Sequence, residues 1–133
     1  SGPLLDRIDL HIEVPPVDFR DLSNTAKEES SASIKARVDA ARDIQNKRFA
    51  NTGITCNAQI PPEMLHEVCC TAPAADALLK NAFEKFGLSA RAYDRVLKVS
   101  RTIADLDNSR DIEARHAAEA VRYRTLDRKY WTR

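Results

Sequence analysis

The sequence predicts a mainly α fold, a helical bundle preceded by a single β-strand. Three observations carry this. Residues 88–106 have the period of an amphipathic helix with clear start and stop signals. Residues 7–14 alternate apolar and polar side chains strictly, and no second run of comparable β character follows to pair with them. The composition, 43% hydrophobic, 31% charged and 6% aromatic over 133 residues, suits one small helical domain with a modest core.

The elements follow in order. Ile8, Leu10, Ile12 and Val14 lie on one side of the alternating run, with Arg7, Asp9, His11 and Glu13 on the other, and Pro15-Pro16 stops it. A lone strand cannot satisfy its own backbone, so residues 1–29 are expected to be unpaired and poorly ordered in this chain, apart from the helical domain at 30–133. The only methionine is Met64, and the chain is expected to be a piece of a longer protein. Residues 15–29 are polar without a sustained period and read as a connector. Ser30-Ser31-Ala32-Ser33 can cap a long helix to about Ala50, with Ile34, Val38, Ala41, Ile44 and Phe49 as its stripe. Arg37 and Arg48 flank that stripe and Gln45 lies on it; Gln45 and Arg48 read as structural.

Asn57 or Pro61-Pro62 opens a short helix to about Cys69, and Pro73 starts another that runs to Gly87. Gly87 can close that helix in a left-handed conformation, and the Ser89 hydroxyl can cap the next. In this next helix Tyr93, Val96, Leu97, Ser100, Ile103 and Ala104 share one side, while Arg91, Asp94, Arg95, Lys98, Arg101, Thr102 and Asp105 share the other. A last helix starts near Ser109 to Asp111 and runs to about Tyr123, with Ile112, Ala117, Ala120 and Val121 inward. In the tail, Tyr130-Trp131 either packs on the bundle or stacks on a base or partner.

Arg91 stands in a first helical turn, where unpaired N–H groups and a partial positive charge make a cation unfavourable by about 0.3–1 kcal/mol unless an anion lies nearby. Such an end suits a phosphate. On the residues alone the basic face is either a solvated one, laced by i,i+4 pairs such as Asp94 to Lys98, or one that meets such an anion.

Four segments in order carry a resemblance over nearly the whole chain. These are Leu4-Leu5-Asp6-Arg7-Ile8-Asp9-Leu10, Ala41-Arg42-Asp43-Ile44-Gln45-Asn46-Lys47-Arg48, Leu88-Ser89-Ala90-Arg91 with Arg101-Thr102-Ile103-Ala104-Asp105-Leu106, and Glu119-Ala120-Val121-Arg122-Tyr123-Arg124. Together they resemble the magnesium-chelatase-like AAA+ ATPases, most closely the competence-associated branch-migration helicases. The resemblance implies that residues 1–29 are the last strand of the αβα core plus a connector, and that residues 30–133 are the helical lid. It places Arg7 at the arginine-finger position, before the Ile-Asp pair, and Arg91 at the sensor-2 position of the lid. It also implies ATP and Mg²⁺ as cofactors of the full-length protein, a hexameric ring of identical subunits, and branched or single-stranded DNA as substrate. A guanidinium suits both positions because it donates bidentately to phosphate oxygens and stays charged. A finger supplied in trans is worth about 10³–10⁵ in rate. Arg7 paired with Asp6 or Asp9 on the surface is the structural alternative.

A P-loop needs G-x-x-x-x-G-K-[ST], and Gly2, Gly53 and Gly87 are not followed by Lys, so this chain cannot form a nucleotide site alone and should be inactive by itself. The resemblance puts the P-loop, Walker-B acid and sensor 1 upstream. A nucleotide-independent helical adaptor for protein or nucleic acid is the competing reading, and a chelatase motor subunit follows from the family name. The net charge of +1 hides an asymmetry: residues 1–88 hold 10 basic and 13 acidic side chains, residues 89–133 hold 11 and 7. Cys56, Cys69 and Cys70, an odd count with two adjacent, read as reduced thiols rather than a disulfide framework. With His66 they lack the Cys-x₂-Cys knuckles of a zinc site, so no metal is expected. His11 and His116 have no recognisable catalytic setting. No signal peptide or apolar run of transmembrane length is present, and a cytoplasmic location with no membrane partner is expected.

Overall fold

A computed structural model describes residues 2–124, so the expectation for Tyr130-Trp131 lies outside the described residues. The helices are α1 (Gly2–Asp6), α2 (Phe19–Leu22), α3 (Ser31–Arg48), α4 (Leu65–Val68), α5 (Pro73–Phe86), α6 (Ala90–Leu106) and α7 (Ala114–Arg122), with 3₁₀ turns at Asn57–Gln59 and Pro62–Met64. The described residues are mostly helical and form no sheet. Local chemistry explains the boundaries. The Ser30 hydroxyl accepts the Ser33 N–H at 3.1 Å and the Ser89 hydroxyl accepts the Ala92 N–H at 3.1 Å, each satisfying an orphan donor of a first turn. Pro73 opens α5, where a missing N–H costs nothing, and Gly87 closes it at φ 61° and ψ 42°, a conformation that glycine adopts without a Cβ penalty.

Helices α5, α6 and α7 form the heart of the bundle. Ala75, Leu79 and Ala82 of α5, Val96, Leu97 and Ala104 of α6, and Ala117 and Ala120 of α7 are buried. The many alanines let α7 approach both α5 and α6 closely, and Phe49, Ile60, Leu65 and Ile112 fill the remaining volume. A parallel bridge joins Thr71 to Ile112, with the Ile112 N–H donating to the Cys70 carbonyl and the Ala72 N–H to the Ile112 carbonyl. This bridge keeps 109–112 out of the last helix. α7 therefore starts at Ala114, later than its sequence pattern suggests, and Ile112 is buried from the bridge instead.

The segment Arg7–Val14 forms no strand among the described residues, in keeping with its expected lack of a neighbour: Ile8, Leu10, Ile12 and Val14 stay exposed, and its backbone tie to the bundle is the His11 N–H on the Tyr123 carbonyl at 2.9 Å. Other expectations are corrected. The N-terminal half of the α3 stripe is uncovered, since Ile34 and Val38 are exposed while Ala41 and Phe49 are buried. The polar side of α6 is not wholly solvated either. Arg101 and Asp105 are each 2% exposed because the C-terminal half of α3 lies over them. The expected Asp94 to Lys98 pair does not form; Lys98 lies 3.5 Å from the Ala58 carbonyl, and Arg95 pairs with Asp9.

Candidate functional site

Arg91 projects from the first turn of α6 and is exposed, and Arg7, just past the end of α1, is exposed as well. Neither guanidinium has a hydrogen-bond or ion-pair partner among the described residues, in contrast to Arg37, Arg48, Arg95, Arg101 and Arg115. The surface alternative for Arg7 required pairing with Asp6 or Asp9. Both carboxylates are engaged elsewhere. Asp6 accepts the Ser89 hydroxyl at 2.9 Å, and Asp9 accepts from Arg95.

The Asp6–Ser89 bond joins the two predicted positions. Ser89 caps the helix that carries Arg91, and Asp6 immediately precedes Arg7. It also sets an anion beside the N-terminus of α6, which offsets part of the cost of the arginine there. The helix end by itself therefore does not demand a phosphate. What distinguishes Arg91 is that its guanidinium is free while the anion nearby is bound to the cap.

A second feature was not legible in the sequence. Arg124, 3% exposed and two residues past α7, aims its guanidinium at the N-terminal segment. Its Nη1 donates to the carbonyls of Leu5 at 2.9 Å and Ile8 at 2.6 Å and also lies 3.0 Å from His11 Nε2, while Nη2 donates to the Asp6 carbonyl at 3.2 Å. These carbonyls stand on both sides of Arg7. Nothing local marks Arg124 for this role, because its partners are more than a hundred residues away along the chain.

A third cluster is structural. Asp105 accepts from Arg48, Arg101 and Asn57; the Asn57 N–H donates to Gln45 Oε1 at 3.0 Å; and Arg101 also donates to the carbonyls of Ser109 and Arg110. Gln45 and Arg48 thus have the structural role read from the sequence. A cleft of about 580 Å³ borders this cluster, lined in part by Arg48, Phe49, Met64, Arg101 and Arg110. Arg48 and Arg101 are committed to Asp105, and neither Arg7 nor Arg91 lines the cleft, which leaves it without a case as a phosphate pocket.

Among the described residues, no group of three or more His, Cys, Asp or Glu is arranged to hold a metal, and no helix is long and apolar enough to cross a membrane. Burial pushes the Cys69 thiol up to about 11, with Arg101 and Arg48 opposing the shift, whereas Cys70 is exposed. His116 is a capping residue rather than a catalytic one. Its Nδ1 accepts the Glu113 N–H at 2.9 Å, so Nε2 carries the proton and donates to Asp107 at 2.8 Å.

Comparison with known proteins agrees with this architecture. The family model described as magnesium chelatase, subunit ChlI C-terminal, matches residues 28–124. Competence protein ComM of Haemophilus influenzae is 42% identical over 129 residues, 96% of this chain and 25% of that protein. The protein YifB of Escherichia coli is 43% identical over the same length, again 96% of this chain and 25% of its own. The chain therefore spans about a quarter of the length of these relatives. With this likeness over nearly all its length, the chain belongs to the magnesium-chelatase-like AAA+ family, as its C-terminal helical lid.

Proposed function

We propose that this lid serves a hexameric, ring-forming ATPase that couples hydrolysis of Mg²⁺-ATP to the remodelling of branched DNA. In this reading Arg7 is the arginine finger presented to a neighbouring subunit's nucleotide, and Arg91 is the lid sensor that approaches the γ-phosphate. One observation carries it: two exposed guanidiniums without partners among the described residues, on segments joined by the 2.9 Å Asp6–Ser89 bond. Arg37, Arg48, Arg95, Arg101 and Arg115, by contrast, find carboxylates. Holding a guanidinium free in the presence of such acceptors is what phosphate recognition in another part of the assembly requires.

The P-loop, the Walker-B acid and sensor 1 belong, in this reading, to a core outside this chain. The lid does not choose the substrate, because substrate loops lie outside it. The resemblance to branch-migration helicases, and a relative named as a competence protein, favour DNA over a tetrapyrrole. The test is to measure ATP hydrolysis by the full-length protein with a four-way junction, with linear duplex, and with a porphyrin and Mg²⁺. Stimulation and resolution of the junction are expected. Metal insertion without a response to DNA would make the protein a chelatase motor, and nucleotide-independent binding of DNA or protein would make it an adaptor.

A further inference from the structure

We propose that Arg124 is a positioning residue for Arg7: it fixes the peptide that carries the finger to the lid, so that finger and sensor move as one body. The inference rests on the reading of Arg7 as a finger. A finger acts only when its guanidinium arrives in a narrow range of positions, and a long side chain on an unstructured segment would lose that placement to conformational entropy. The segment has no ladder to hold it. Instead, the buried Arg124 guanidinium collects the carbonyls of Leu5, Asp6 and Ile8, which flank Arg7 on both sides.

Three other ties act in the same direction. The His11 N–H donates to the Tyr123 carbonyl, Asp6 accepts the Ser89 hydroxyl, and Asp9 pairs with Arg95. Two of these reach α6, which bears Arg91, and Tyr123 and Arg124 follow α7 directly. Residues 5–11 are thus bound to the end of one lid helix and the start of another. A cation facing backbone carbonyls is suited to this task, because it gathers several acceptors at once and leaves the Arg7 side chain free. Lid closure over one subunit's nucleotide would then displace the finger offered to the next.

The test uses the full-length ATPase with Arg124→Gln, Arg7→Ala and the double variant. Arg124→Gln should lower kcat by about 10- to 100-fold, as expected for loss of placement, with KM for ATP and ring assembly unchanged. The double variant should be no slower than Arg7→Ala alone, since a residue that acts through the finger has nothing to add once the finger is gone. Hydrogen exchange should quicken at residues 7–11 while α5, α6 and α7 keep their protection. Wild-type kcat for Arg124→Gln beside an inactive Arg7→Ala overturns the proposal and leaves the finger reading standing. Loss of protection throughout the domain overturns it too, by making Arg124 a residue of general stability. Full activity of Arg7→Ala removes the finger reading itself.

Discussion

Arg48 donates to both oxygens of Asp105, at 2.6 and 2.8 Å, across 57 residues of chain, and so ties the end of α3 to the last turn of α6. The Asp105 side chain is fully buried, and Arg101 and Asn57 complete its shell at 3.2 and 2.9 Å. Removing one partner of such a cluster strands the others in a poorly solvating interior. Asp105→Ala should therefore destabilise the domain by about 3–5 kcal/mol. Glu29→Ala, which breaks the exposed pair with Arg37 and the exposed bond from the Ser33 hydroxyl, should cost no more than about 1 kcal/mol. Urea unfolding of both variants checks the contrast, and equal midpoints would contradict it.

Asp107 should give the domain a component of acid sensitivity. The hydrogen bond from His116, and then that from Arg115, hold its carboxyl below the ordinary value of 3.8. A depressed carboxylate contributes stability that is fully present above its unfolded value and is lost as pH falls through the folded value. The window therefore lies below 3.8. Asp107→Asn keeps an acceptor for His116 but cannot titrate. Thermal melting from pH 6 downward should show wild type more stable at the upper end, with the gap closing below the ordinary carboxylate range. A gap that persists or widens in acid would contradict this.

The adjacent cysteines should differ sharply in reactivity. Only a thiolate attacks alkylating reagents at an appreciable rate, and burial pushes the Cys69 thiol up to about 11. Cys70 is exposed, although its Sγ–H is directed at the Glu67 carbonyl. Iodoacetamide at neutral pH, followed by peptide mass mapping, should label Cys70 in the folded protein and Cys69 only after denaturation. Equal labelling would mean that the α4–α5 turn opens readily.

Local chemistry was legible and tertiary context was not. The caps at Ser30 and Ser89, the proline start at Pro73 and the left-handed stop at Gly87 are each decided within a few residues, and each stands where the sequence put it. Burial of Arg101 and Asp105 depends on α3 arriving from elsewhere, so helical period alone assigned them to the solvated face. The late start of α7 depends on the Thr71–Ile112 bridge, again a distant contact. Alternation at residues 7–14 gives the pattern of a strand but does not supply the neighbour that a strand needs. The family pattern gives roles to Arg7 and Arg91; Arg124 stands in its last segment without one, because its partners lie at the opposite end of the chain.

The isolated chain should neither hydrolyse ATP nor bind it tightly. Its three glycines provide no Gly-Lys-Ser/Thr cradle, and Arg91 at a helix end offers one cationic contact where a nucleotide site uses many. Calorimetry should give no micromolar binding. A micromolar dissociation constant would point to a nucleotide site that the P-loop argument does not foresee.

The two arginines should separate in the full-length enzyme. A finger stabilises charge that develops in the transition state, so Arg7→Ala should reduce hydrolysis by about 10³–10⁵ while ATP binding stays largely intact. A lid sensor touches bound nucleotide in the ground state, so Arg91→Ala should depress turnover and also shift affinity or ring assembly. Subunit mixing then tests supply in trans. Rings built from Arg7→Ala subunits and subunits lacking the P-loop lysine contain some interfaces in which an intact P-loop meets an intact finger, and partial activity should return. Mixed rings that assemble yet stay as inactive as either parent would contradict a finger reaching into its neighbour, and full activity of Arg7→Ala alone would take Arg7 out of the mechanism.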